Sequence, residues 1–215
     1  MKKIVQVGLD VTPSAGGSTA ALHWIRDALG GEAISFTCSG RWDDIHEGDG
    51  VLHLRMGCGL LGRFFHKPET LELRRADGVL DGVELLIVHT LYRYHAHWAR
   101  EQACRRGIPY WVLVHGGLDP YVLSYRRFRK MRWLRHFGQG YLRGAERVLF
   151  ATRRERGKAA PFLDGVATET LLWPAEPVSP ANSRKARVAW RKEFGIGAGE
   201  RLLLYLGRLQ KAKRP

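Results

Sequence analysis

The run Tyr110-Trp-Val-Leu-Val114, followed at once by His115-Gly116-Gly117-Leu118-Asp119-Pro120, restricts this chain more than any other stretch. Five β-branched, aromatic and aliphatic residues without polar alternation predict a strand buried on both faces, the arrangement found in a parallel sheet. Two glycines then allow a sharp turn, and Asp119-Pro120 opens a further turn ahead of a helical stretch. Open α/β sheets bind ligands beyond the carboxyl ends of their strands, so His115 stands where such a fold does its chemistry. A histidine in that place can also simply be satisfied by a backbone carbonyl, and the residues alone leave both readings open.

Short apolar runs of the same kind recur at 4–7, 33–37, 51–54, 85–88, 148–151 and 168–172. Between them, apolar residues at helical spacing predict helices over 20–29, 69–75 and 95–106. Strands alternating with helices specify the α/β class, a Rossmann-like parallel sheet. The loop from Gly8 to Gly17 is rich in Gly, Pro, Ser and Thr, and Ser18 or Thr19 is the expected cap of the first helix. A strand, a glycine loop and a helix offer free backbone N–H groups to a phosphate; the same glycines also serve a plain turn. The loop is neither G-x-G-x-x-G nor G-x-x-x-x-G-K-[ST], which disfavours a nicotinamide site and a P-loop.

The 215 residues suffice for a sizeable core. Their formal charge of +14 points to polyanionic partners, an anionic membrane surface or nucleic acid. The second is disfavoured, because no RNA-binding, KH or zinc-finger signature accompanies the charge. Cys38, Cys58 and Cys104 lie far apart and form neither a zinc spacing nor an even disulfide framework, which fits a reducing compartment. Met1-Lys-Lys runs directly into a strand and no stretch is apolar enough to span a bilayer. The expected location is cytoplasmic, or peripheral on the inner face of a membrane. His89, His95 and His97 lack a carboxylate or cysteine at ligand spacing, so no metal is expected and solvated or acceptor-facing positions are.

From Tyr125 to Arg143 the chain is amphipathic and strongly basic. On one continuous helix Met131, Leu134, Phe137, Tyr141, Leu142 and Ala145 share a face, while Arg129, Arg132, His136 and Arg143 share the opposite one with Trp133 beside them. That outer face can contact an anionic membrane or a lipid-linked acceptor, or it can be an ordinary solvated face.

Taken together, Glu84-Leu-Leu-Ile-Val-His89-Thr90, Gly107-Ile-Pro-Tyr-Trp-Val-Leu-Val-His115-Gly-Gly-Leu-Asp-Pro120 and Ala145-Glu-Arg-Val-Leu-Phe-Ala-Thr152 with Glu155 resemble the N-terminal half of family 4 glycosyltransferases of the GT-B fold. The resemblance implies a retaining, nucleotide-sugar-dependent transferase of cell-surface polysaccharide or lipid-linked glycan assembly, with a nucleotide diphosphate sugar as donor and no further cofactor. It implies that Gly16 and Gly17 admit the donor diphosphate, that His115 contacts the sugar, and that Asp119 shapes the loop presenting His115. Near the end, Gly207-Arg-Leu-Gln-Lys-Ala-Lys213 is similar to the family's G-R-L-x-x-x-K, so Arg208 and Lys213 match the cations that hold the donor phosphates. The family's E-x7-E motif would fall beyond residue 215, and a truncated form is expected.

Three prolines near 174–180 predict an extended linker. The expected organisation is an acceptor-side domain over 1–173, a linker over 174–184 and the start of a donor-binding domain over 185–215, opening on a strand at 202–206. A competing reading is a non-catalytic basic module that binds anionic membrane or polyanion.

Overall fold

The computed structural model describes residues 3–9, 17–36, 50–55, 57, 67–173, 179–197 and 199–205. The chain divides into two compact units, Met1–Trp173 and Pro174–Pro215.

In the first unit the apolar runs form strands β1 (Ile4–Gly8), β2 (Glu32–Ser35), β3 (Val51–His53), β4 (Leu85–His89), β5 (Tyr110–Leu113), β6 (Arg147–Phe150) and β7 (Thr168–Thr170). They pair in parallel, in the order β3-β2-β1-β4-β5-β6-β7. This is a Rossmann-like α/β sheet. The order reverses at β1: the chain first proceeds outward through β2 and β3, then returns to lay β4 on β1's other side. That switch point is where such sheets open a crevice beyond the strand ends.

Parity divides each strand between two cores. Val5, Val7, Leu86, Val88, Val112, Val148 and Phe150 enter the larger one. It is covered by helices α2 (Thr70–Val79) and α3 (Tyr94–Arg106), and by the segment that leads into β6. Ile87, Leu113 and Leu149 face the other side, packed with Ile25 of α1 (Gly17–Leu29) and with Trp173. Each fully buried aliphatic side chain stabilises the fold by about 1.5–3 kcal/mol, so the seven named for the larger core outweigh any single surface ion pair.

Two details of the helices differ from the sequence expectation. Helix α1 begins at Gly17, so Ser18 and Thr19 lie inside its first turn rather than capping it. The basic stretch is not one helix but α4 (Pro120–Ser124), α5 (Arg127–Trp133), a π turn at Leu134–Gly138 and α6 (Gln139–Gly144). Arg126 adopts a left-handed φ of 52° and breaks the stretch before α5. The π turn inserts a residue into the helical repeat and advances the phase of everything beyond it. Leu134, Tyr141, Leu142 and Ala145 are buried as the 3.6-residue period requires, whereas Met131 on the near side of the break is exposed. Helix α7 (Arg153–Ala159) follows β6.

In the second unit α8 (Pro180–Glu193) starts inside the expected linker. Pro180 occupies the first helical turn, where its missing N–H costs nothing, and Ser179 Oγ caps the helix by accepting from Asn182 N at 3.1 Å. The expected strand at 202–206 is not formed over its described residues, Leu202 to Tyr205, which are exposed and without regular structure. A strand needs a ladder partner, and none among the described residues pairs with it.

Candidate functional site

At the switch point the strand parity brings three polar side chains into line. Gln6 of β1 stands opposite Ile87 of β4, and His89, two residues further along, points to the same face of the sheet. Leu113 pairs with His89, and His115 follows Leu113 by two residues at the end of β5. The result is a chain of contacts. Gln6 Nε2 donates to the carbonyl of Leu22 in α1 at 3.1 Å, His89 Nε2 lies 2.9 Å from Gln6 Oε1, and His89 Nδ1 lies 3.0 Å from His115 Nε2.

The His115 ring is stacked between two others, His89 at 5.3 Å and 17° and Trp173 at 5.5 Å and 11°. Burial drives the His115 pKa down to about 4, and it drives His89 well below its usual range, with His115 and His95 adding to the effect. Both rings are therefore neutral at pH 7. His95 is buried and its Nε2 donates to the carbonyl of His89 at 2.7 Å. The expectation that these histidines are solvated is thus corrected for His89 and His95: they lie under the site because even-spaced polar positions were carried inward by the strand and the first turn of α3. Among the described residues no group of His, Cys, Asp and Glu forms a metal centre.

The turn after β5 is held in an uncommon shape. His115 has φ 47° and Gly116 φ 73°, two consecutive left-handed residues, of which the histidine is the strained one. Glu155 holds this turn in place, its Oε1 accepting from Gly116 N at 2.6 Å and its Oε2 from Ala151 N at 2.9 Å, which ties the ends of β5 and β6 together. Thr152 caps α7 by accepting from Glu155 N at 3.0 Å, which fixes the glutamate's backbone. Tyr92 donates its hydroxyl to the carbonyl of Gly117 at 2.7 Å. Asp119 caps α4 by accepting from Tyr121 N at 2.9 Å and pairs with Lys158 at 2.5 Å. The Lys158 hydrogen bond is the main reason its carboxyl is held below the usual range, and Asp119 serves the loop's far end without touching His115.

Beside the site lies a cavity of about 790 Å³. Leu9, Leu91, Tyr92, Trp133 and Phe137 give it an apolar floor, and Lys67, Arg93, Arg126, Arg129, Lys130 and Arg132 bring six cations to it. No carboxylate is among the described residues that line it. The cations are crowded: Lys130 is pushed below its usual range by burial first, then by Arg126 and Arg93. Aromatic faces carry part of the load, with Lys130 over Tyr92 at 5.5 Å and Arg126 over Tyr125 at 5.3 Å.

Of the basic-face residues singled out in the sequence, Arg129, Arg132, Trp133 and His136 line this cavity. Trp133 does not stand beside the outer face; the π turn tucks it inward, where Nε1 donates to His97 Nε2 at 3.1 Å and the ring meets Tyr92, Phe137 and Tyr141. Arg143 lies apart and pairs with Asp164. Gly17 is the exposed first residue of α1, while Gly16, Arg208 and Lys213 lie outside the described residues. Sequence reasoning passed over Gln6 and Trp173; a glutamine inside an otherwise apolar first strand was the one signal available.

The chain is similar to the sucrose-phosphate synthase of Thermosynechococcus elongatus, with 16% identity and a TM-score of 0.65 over 98% of this chain and 57% of that one. It is also similar to HepE of Anabaena, solved in complex with UDP and glucose, with 16% identity and a TM-score of 0.52 over 91% of this chain and 50% of that one. The chain thus spans little more than half the length of these solved relatives. What it shares with them is the GT-B glycosyltransferase fold. No family model matches the chain, and no curated protein does.

Proposed function

We propose that this chain is the acceptor-side part of a retaining, nucleotide-sugar-dependent glycosyltransferase of the family 4 kind, acting in cell-surface polysaccharide or lipid-linked glycan assembly. The observation that carries the proposal is the placement of His115. It stands at the topological switch point, neutral and stacked on Trp173, directly beside an apolar cavity rimmed by cations. A neutral imidazole at that point hydrogen-bonds a sugar without adding charge. The six cations suit an acceptor that carries phosphate, and the aromatic floor suits an apolar chain attached to it. The likeness to a solved complex holding UDP and glucose supports a nucleotide-sugar donor. In this reading Gly16 and Gly17 approach the donor diphosphate, and Arg208 and Lys213 neutralise its charge as the bond to the sugar breaks.

The test is binding and transfer measured together. Calorimetric titration with UDP-glucose, alongside transfer of radiolabelled hexose to lipid-linked acceptors in membrane extracts, is expected to give binding and label incorporation. His115→Ala should lower both at least about ten-fold while changing unfolding free energy by only about 1 kcal/mol, the worth of its ring stacking. Absence of nucleotide-sugar affinity, together with salt-sensitive binding to anionic vesicles, would replace this reading with that of a basic anion-binding module.

A further inference from the structure

The hydrogen-bond chain behind His115 has a direction, and that direction is forced by chemistry rather than chosen. Leu22 O is a carbonyl and can only accept, so the amide atom of Gln6 that faces it is the NH₂ group. Gln6 Oε1 therefore faces His89 Nε2, and because that oxygen can only accept, the ring nitrogen must carry the proton. His89 is fully buried and neutral, with room for one ring proton; its Nδ1 is a lone pair. His115 Nε2, 3.0 Å away, must then be the donor. One proton is left to each ring, so His115 Nδ1 is a bare lone pair, and it meets no partner among the described residues.

From this we propose that Gln6 and His89 are positioning residues that set a tautomer: reading from the Leu22 carbonyl, they fix His115 with its proton on Nε2 and present Nδ1 as an acceptor, so that the site takes a donating ligand hydroxyl. A carboxylate or carbonyl in that place would set lone pair against lone pair. The proposal rests on the reading above that His115 meets the sugar, and it deepens that reading by stating the polarity of the contact. The left-handed turn held by Glu155 is what brings His115 Nε2 within reach of His89, so the relay and the strained backbone belong to one device.

Long-range ¹H–¹⁵N correlation spectra of the full chain labelled with ¹⁵N-histidine read the tautomers directly at pH 7, with His115→Ala and His89→Gln used for assignment. Expected are a single Nε2–H tautomer at both rings in the wild type, and a mixture at both in Gln6→Met, which removes the acceptor that orders them. A wild-type His115 protonated on Nδ1, or present as a mixture, overturns the proposal, and so does a folded Gln6→Met with both rings unchanged. Should Gln6→Met not fold, the wild-type spectrum still decides. Titration with UDP-glucose and its monodeoxy analogues forms the second arm. One hydroxyl is expected whose removal costs the wild type about ten-fold in affinity and costs His115→Ala nothing. If every analogue affects the two proteins alike, the hydroxyl contact is refuted. If UDP-glucose does not bind at all, the proposed function fails, while the tautomer spectra independently confirm or refute the relay.

Discussion

His115 concentrates several costs in one residue: a left-handed backbone, a buried ring and a pKa pushed down to about 4. The depressed pKa has a consequence for stability with a definite sign. Below the ordinary value of 6.5 the unfolded chain takes up a proton that folded His115 refuses, so stability is complete above about pH 6.5 and is lost as pH falls toward 4. His89 acts in the same direction. The His115 contribution alone is worth roughly 3 kcal/mol across that interval. Urea unfolding midpoints measured from pH 7 to pH 4 should fall accordingly, and His115→Phe, which keeps an aromatic ring against Trp173, should give a visibly shallower decline. An unchanged pH profile in that variant would show that His115 is not the group responsible.

At the level of elements, the π turn at Leu134–Gly138 decides what the basic segment does. Without it Trp133 would sit beside the arginines on the outer face, as a continuous 3.6-residue period predicts; with it the indole forms part of the cavity floor. The turn depends on a glycine. A Cβ on Gly138 would lie 2.6 Å from the Trp133 ring and 2.9 Å from Leu134. Gly138→Ala should therefore destabilise the protein by about 1–3 kcal/mol, the usual cost of overpacking, and shift Trp133. Thermal melts and a change in tryptophan emission that Trp133→Phe abolishes would check it; wild-type stability in Gly138→Ala would mean that the helix tolerates a regular repeat. The π turn was not legible in the sequence, because a one-residue insertion into a helical period leaves no compositional mark.

For the molecule as a whole, the excess of positive charge is organised rather than spread. Six cations gather at one cavity, and among the described residues no carboxylate lines it. No helix among the described residues is long and apolar enough to cross a membrane. If the cavity takes a phosphate-bearing acceptor, affinity for vesicles containing phosphatidylserine should drop several-fold between about 0.05 M and 0.5 M salt, as the screening length shortens. Arg129→Glu with Arg132→Glu should weaken it further at low salt without loss of secondary structure. Co-sedimentation measures both, and salt-independent binding would indicate that apolar contact dominates. The sequence by itself determined the seven strands, their buried faces and the presence of His115 at a strand's carboxyl end, since apolar runs, glycines and spacing are local properties that need no partner to be read. It could not determine that Gln6, 83 residues from His89, is the group behind that histidine, or that Trp173 covers His115. Those facts depend on strand order and register, which place residues distant in sequence on one face of one sheet.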